Sequence, residues 1–262
     1  MQGVAMRLML VRVLAGLFAA SWLVLPGFGA MDLSVTWDAD WPQVLEAGWG
    51  LFATVIVGAA FVLACVRPRG SAPARAQLVI AIVALLMSAV FAREGRLLLL
   101  AALLAVQTAI VDGLLRGARP SGAHWWALRP AGVSRTLLAV ACAGLIPWLV
   151  YALQMWALNR ESRSDSDVTI GIDHYSMQGA LALSVGLLPV AAALRVDVRP
   201  FVSVCASIAA SYLGLVSLVW SDSAGGLSGT WSAAAIAWAL ALLTVTTARG
   251  LRAVPLPERS GG

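Results

Sequence analysis

Lysine is absent: all 18 basic residues among the 262 are arginine. Charge of any kind is scarce, at 12% of residues, where a soluble domain carries roughly 25%. Hydrophobic residues make up 60% and the mean hydropathy is +0.86. More than half of any globular surface must face solvent, so a water-soluble fold of this size has nowhere to put that much apolar side chain. Surrounding lipid removes the conflict. Cysteine is limited to Cys65, Cys142 and Cys205, each inside an apolar stretch and none in C-x-x-C or Cys/His spacing. The spacing supports neither a disulfide framework nor a zinc site, and all three are expected to be small buried hydrophobes. No G-x-x-x-x-G-K-[ST] is present, so the chain does not hydrolyse nucleotide by itself. G-x-S-x-G, H-E-x-x-H and the paired Asp-rich motif of prenyl and phosphatidyl transferases are also missing. The common membrane-enzyme chemistries therefore lack their usual parts, and neither a cofactor nor a metal is expected.

What is present is a series of apolar runs. A span needs about 20 mostly apolar residues to cross about 30 Å of hydrocarbon, and the backbone must be helical there to satisfy its own N–H and C=O groups. Eight runs qualify: roughly 8–28, 47–66, 76–92, 97–115, 136–158, 176–194, 200–220 and 230–248. The expected fold is an all-α polytopic bundle in a single integral membrane domain, 1–262, with kinks plausible at Pro26, Pro147 and Pro189. The interior loops are short and rich in Arg, Pro and Gly, leaving no room for a soluble domain. Pro255 to Gly262 reads as a mobile tail.

Arginine placement sets the expected orientation. Arg7, Arg12, Arg67, Arg69, Arg75, Arg116, Arg119, Arg129, Arg135, Arg195, Arg199, Arg249, Arg252 and Arg259 fall on one side, with only Asp112, Asp197 and Glu258, for about +11. The other side holds Arg93, Arg96, Arg160 and Arg163 against ten acids, about −6. Eight spans with both ends in the cytoplasm fit this without exception. The net charge of +5 does not indicate nucleic acid, because the arginines sit in short clusters between apolar runs. Residues 1–30 also have the layout of a signal peptide, with Arg7 and Arg12 before the apolar run Val13 to Leu25 and a Gly27-Phe28-Gly29-Ala30 end. Phe28 stands where a small residue is wanted before a cut after Ala30, and the apolar stretch is long enough to span. An uncut anchor is the expectation.

Two exterior loops are long. One holds Asp32, Trp37, Asp38, Asp40, Trp41 and Glu46; the other holds Arg160, Glu161, Arg163, Asp165, Asp167 and Asp173. Trp37, Trp41 and Trp49 are expected at headgroup level, where an amphipathic ring is favoured. A shift of 128 residues aligns Arg7 with Arg135, Arg67 with Arg195, Glu94 with Asp222 and Val57-Gly58 with Val185-Gly186. This suggests a parallel 4+4 repeat of the kind transporters use, with a site where the repeats meet. The competing explanation is that any two four-span units obeying the positive-inside rule align loosely.

Polar groups inside spans are costly, so each is a site candidate. On span 5, Trp148, Tyr151 and Gln154/Met155 share a helical face. On span 6, Asp173 can cap the helix start, and His174 and Gln178, four apart, point the same way. His174 could serve as proton acceptor, metal ligand or hydrogen-bond donor; the alternative is that His174 and Tyr175 anchor a helix end while Tyr151 and Gln154 bond between helices. One histidine cannot define a metal site, and His124, beside Trp125 and Trp126, lies on the other side of the membrane. On span 4, Asp112 and Arg116 are spaced for an ion pair, with a proton relay through Asp112 and Gln107 as the alternative. On span 7, Ser203, Ser207, Ser211 and Gly214 form a small-residue stripe suited to close helix packing rather than a pore lining.

The arginine-only basic set, the Ala/Leu/Val spans and the Asp173-His174-Tyr175-Ser176-Met177-Gln178 entry to a span make the chain resemble polytopic membrane proteins of actinobacteria. The resemblance implies a plasma-membrane location and brings no activity. Two functional readings follow from the residues themselves. One is a small transporter or channel-like protein with its site between spans 4, 5 and 6 and Asp112 as coupling group, for a small molecule the sequence does not identify. The other is a non-catalytic accessory or assembly subunit, touching another membrane protein or a second copy through the Ser stripe and the acidic loops.

Overall fold

The computed structural model describes residues 2–116, 132–161 and 167–252, with side chains described for 3–248 of these. Arg119, His124, Trp125, Trp126, Arg129, Arg163, Asp165 and the tail 255–262 lie outside the described residues, as do the side chains of Arg249 and Arg252.

Eight helices are long and apolar enough to cross a membrane: span 1 Gly3–Leu23, span 2 Gln43–Val66, span 3 Ala72–Phe91, span 4 Arg96–Arg116, span 5 Arg135–Arg160, span 6 His174–Leu194, span 7 Arg199–Val219 and span 8 Gly229–Ala248. The chain is an all-α, multi-pass integral membrane protein. The spans start where helix physics allows. Ser134 caps span 5 by accepting from Leu137 N at 3.2 Å, and Asp173 caps span 6 by accepting from Tyr175 N at 2.8 Å. Spans 3 and 7 each open with a proline in the first turn, where a missing N–H costs nothing. Two boundaries differ from expectation. Span 1 stops at Leu23, and span 2 begins at Gln43 rather than 47, so Glu46 belongs to its first turn and not to the preceding loop.

Within the first half, spans 1 and 3 each pack on spans 2 and 4. Within the second, spans 5 and 7 each pack on spans 6 and 8. The two halves meet mainly through spans 2 and 3 of one and 6 and 7 of the other, and span 5 also touches span 3. Glu46 lies 3.2 Å from His174, 128 residues further along the chain. The neighbour order within each half is compatible with the 4+4 repeat that the sequence shift suggests.

Lipid gives apolar helices no drive to associate, so close packing and hydrogen bonds carry the assembly. Trp156 of span 5 donates to Ser88 of span 3 at 2.7 Å, and Asn159 donates to the Ala92 carbonyl at 3.1 Å, joining the two halves. Trp22 of span 1 donates to Gln107 of span 4 at 2.8 Å. Span 2 is not uniformly α-helical. Over Phe52–Gly58 it widens to a π-helix, and Gln77 of span 3 donates to the Val55 and Ile56 carbonyls at 3.0 and 2.7 Å. The small-residue stripe of span 7 is taken up within the chain: Ser207 donates to the Ala239 carbonyl of span 8 at 3.1 Å, and a Cβ on Gly214 would stand 2.8 Å from the Ser232 carbonyl oxygen. Ser203 is buried, whereas Ser211 is only partly so.

Gly179 of span 6 presses on an inter-half link, because a Cβ there would lie 2.1 Å from Trp156 Nε1. Gly179→Ala is expected to displace the indole, break its bond to Ser88 and cost about 1–3 kcal/mol. Thermal unfolding in detergent should show a lower midpoint for this variant, partly restored by Trp156→Leu in the same chain.

Candidate functional site

The acid-rich end of the bundle is built by two short elements that precede spans 2 and 6. After span 1, a helix over Gly29–Val35 lies directly against span 2. The approach needs small residues: a Cβ on Gly50 would meet Leu33 Cγ at 2.7 Å, and one on Gly29 would meet Ala53 at 2.7 Å. This packing brings Asp32 toward Glu46. After span 5, the strands Val168–Thr169 and Ile172–Asp173 form a hairpin whose turn residues, Ile170 and Gly171, both have positive φ. The Arg96 guanidinium donates to the Gly171 carbonyl, and His174 N donates to the Asp167 carbonyl at 3.0 Å. The hairpin therefore fixes both the start of span 6 and Thr169 beside it.

His174 sits at the centre with no exposed surface, and Glu46 is 2% exposed. Nδ1 of the imidazole is 3.2 Å from Glu46 Oε1, and Nε2 is 2.8 Å from Thr169 Oγ1. The ring stacks on Trp49, centroids 5.1 Å apart at 29°, and Trp49 is held by its own N–H donating to the Gly27 carbonyl at 2.8 Å. Nε2 and the Thr169 hydroxyl are hydrogen-bonded, with donor and acceptor set by the ring's tautomer, whereas the Nδ1–Glu46 approach is a close contact without hydrogen-bond geometry. Asp32, 5% exposed, has its pKa raised to about 7, first by burial and then by Glu46 and Asp167, against a lowering by His174.

One turn along span 6, Gln178 donates to the Tyr151 hydroxyl at 2.7 Å, and Tyr151 donates to the Gly225 carbonyl. Gly48 of span 2 packs against Gln178 Oε1 so closely that a Cβ would overlap it at 1.3 Å. Tyr151, Asp173, His174 and Gln178 thus gather where the halves meet, with Asp173 as the helix cap.

Other expectations are corrected. Gln154 does not join this cluster; it lies exposed on the outside of span 5, lining a cavity between spans 5 and 8. Asp112 lies at the arginine-rich end, 3.4 Å from Arg75 of span 3, and Gln107 is bound to Trp22. Arg116 closes span 4 a turn beyond Asp112. From Arg96 to Asp112 is about 24 Å of helix, so span 4 places its carboxylate far from His174, and a site shared among spans 4, 5 and 6 does not form. His174, Tyr175 and Trp49 are buried inside the protein; of the three tryptophans assigned to headgroup level only Trp37 and Trp41 are exposed.

Asp32, Glu46 and Trp49 are the partners that sequence reasoning missed. One signal was available: Glu46 and His174 are 128 residues apart, the spacing that aligns the halves. Among the described residues no group of three or more His, Cys, Asp or Glu is arranged for a metal ion. Comparison with protein-family models, curated proteins and solved structures gave no match.

The Asp32 proton predicts a pH effect. A carboxyl whose folded pKa is raised from 3.8 to about 7 contributes stability that is fully present below pH 3.8 and is lost as pH rises through 7. Asp32→Asn keeps the position neutral. Its advantage in thermal stability over the native protein should be smallest near pH 4 and widen toward pH 8. The widening is at most about 1.4 kcal/mol for each tenfold fall in proton concentration, and less where solvent screens the carboxyl. A gap that stays constant from pH 4 to pH 8 would contradict the assignment.

Proposed function

We propose that this chain is a small proton-linked transporter of a bacterial plasma membrane, with both termini in the cytoplasm and Glu46–His174 as its proton-binding pair. The observation that carries this reading is the position of the pair. Two ionisable groups are withdrawn from water inside a membrane domain, at the seam between the first four spans and the last four. Burial of such groups is expensive and is retained mainly where a charge or proton must be handled. A seam between repeats is also where moving one half against the other exposes a site to alternate sides.

The roles divide by geometry. His174 takes the proton, Glu46 stabilises the imidazolium, and Thr169 accepts from or donates to the ring according to its state. Asp32, beside them in the loop helix, relays protons from the outer medium. Tyr151 and Gln178 lie one turn deeper and offer hydroxyl and amide groups to a small polar solute. Arginine asymmetry supports the orientation, which places the pair near the outer face.

Purified protein in vesicles loaded with a pH-sensitive dye tests the reading. Amino acids, sugars, nucleosides and carboxylates are added outside, class by class. At least one class should drive proton movement, and Glu46→Gln or His174→Ala should abolish it while membrane insertion is unchanged. Proton movement undiminished in His174→Ala, or none with any class, would sink the proposal.

A further inference from the structure

Spans 5 and 8 flank a cavity of about 570 Å³ whose wall includes Tyr151 of the site above but neither Glu46 nor His174. Its size falls in the range of small-molecule pockets, roughly 300–1,000 Å³. The closed inner end is aromatic. Trp238 reaches across to span 5, donating to the Val140 carbonyl at 2.8 Å, and its ring occupies the space a Cβ on Gly144 would need. Trp148 lies beside it, centroids 6.3 Å apart. Pro147 is also in the wall. The open side is flanked by Ile146, Val150 and Trp231, all exposed on the outer surface of the bundle, where lipid lies.

The Tyr151 hydroxyl in the wall is already engaged by Gly225 and Gln178, and the remaining amide and hydroxyl side chains sit at one end. Gln154 is six residues from the acidic end of span 5, and Ser228 immediately precedes span 8 at that same end. Their side chains make no hydrogen bond among the described residues. No charged residue lines the cavity. An apolar trough open sideways to lipid, with uncharged hydrogen-bonding groups at its surface end, matches an amphipath of one chain and a neutral head. A charged head would bring its charge to a lip that offers no counter-charge.

We infer that this cavity binds a neutral single-chain lipid of the monoacylglycerol type from the leaflet at the acidic end. The chain lies between Trp148, Trp231 and Trp238, and the head hydroxyls bond to Gln154 and Ser228. The inference is independent of the proton pair and stands or falls without it.

The test uses full-length protein in vesicles and bromine quenching of tryptophan fluorescence. The probe is a monoacylglycerol brominated along its chain, compared with an anionic lipid brominated at the same depth. Saturable quenching by the neutral probe is expected, at least several-fold stronger than by the anionic one. Ala234→Phe and Ala143→Phe, two changes at exposed wall positions that fill the trough, should each remove most of the difference, so one misfolded variant does not end the test. Gln154→Leu should weaken apparent affinity about ten-fold without lowering the quenching at saturation. Equal quenching by both probes, or quenching unchanged in a filled variant that folds, would overturn the inference. So would a native mass spectrum showing a dimer that the filled variants lose, since the trough would then hold a second copy.

Discussion

Hydrocarbon cannot solvate a polar group, and that constraint arranges everything else in this bundle. Many inward polar side chains find a partner on a neighbouring span, and others, such as Thr108 and Ser184, bond to a carbonyl of their own helix. The Trp156–Ser88, Trp22–Gln107 and Ser207–Ala239 bonds are of the first kind, each tying together two spans that hydrophobicity alone would leave indifferent to one another. Glu46 and His174 go further. Either alone would be a bare ionisable group in an apolar interior; here they face one another at 3.2 Å, with Thr169 and Trp49 around the ring.

The pairing across the seam has a plain charge logic. Two carboxylates or two imidazoles at this separation would repel, whereas one acid facing one base turns the same geometry into attraction. The acid comes from span 2 in the first half of the chain and the base from span 6 in the second, so neither half carries the pair alone.

The fold was legible because hydropathy and arginine spacing are properties of long segments, and errors at single residues do not alter them. The eight spans lie close to where the apolar runs stand. The site was half legible. His174, Gln178 and Tyr151 stood out as polar groups in apolar helices, but their partners did not. Glu46 was read as loop because an acid lowers local hydropathy and pushes the apparent start of span 2 to 47, four residues late. Trp49 was placed with the interfacial tryptophans because sequence cannot distinguish a ring at the headgroups from one buried against an imidazole. Asp112 and His174 were grouped because both are ionisable, although arginine placement already put them at opposite ends. Pairings between distant spans are set by the seam between halves, and one-dimensional spacing registers that seam only through the 128-residue shift.

The π-helical stretch of span 2 has a mechanical consequence. Ala59 N–H closes on the Thr54 carbonyl, five residues back instead of four, so the segment carries one residue more than an α-helix of its length. Drawing that surplus out of the helix would turn everything above it by about 100° relative to everything below, one residue's worth of twist. Glu46 lies above the surplus, and the Gln77 amide grips the Val55 and Ile56 carbonyls within it. A single side chain from span 3 thus acts as a detent on the angular setting of the carboxylate that faces His174.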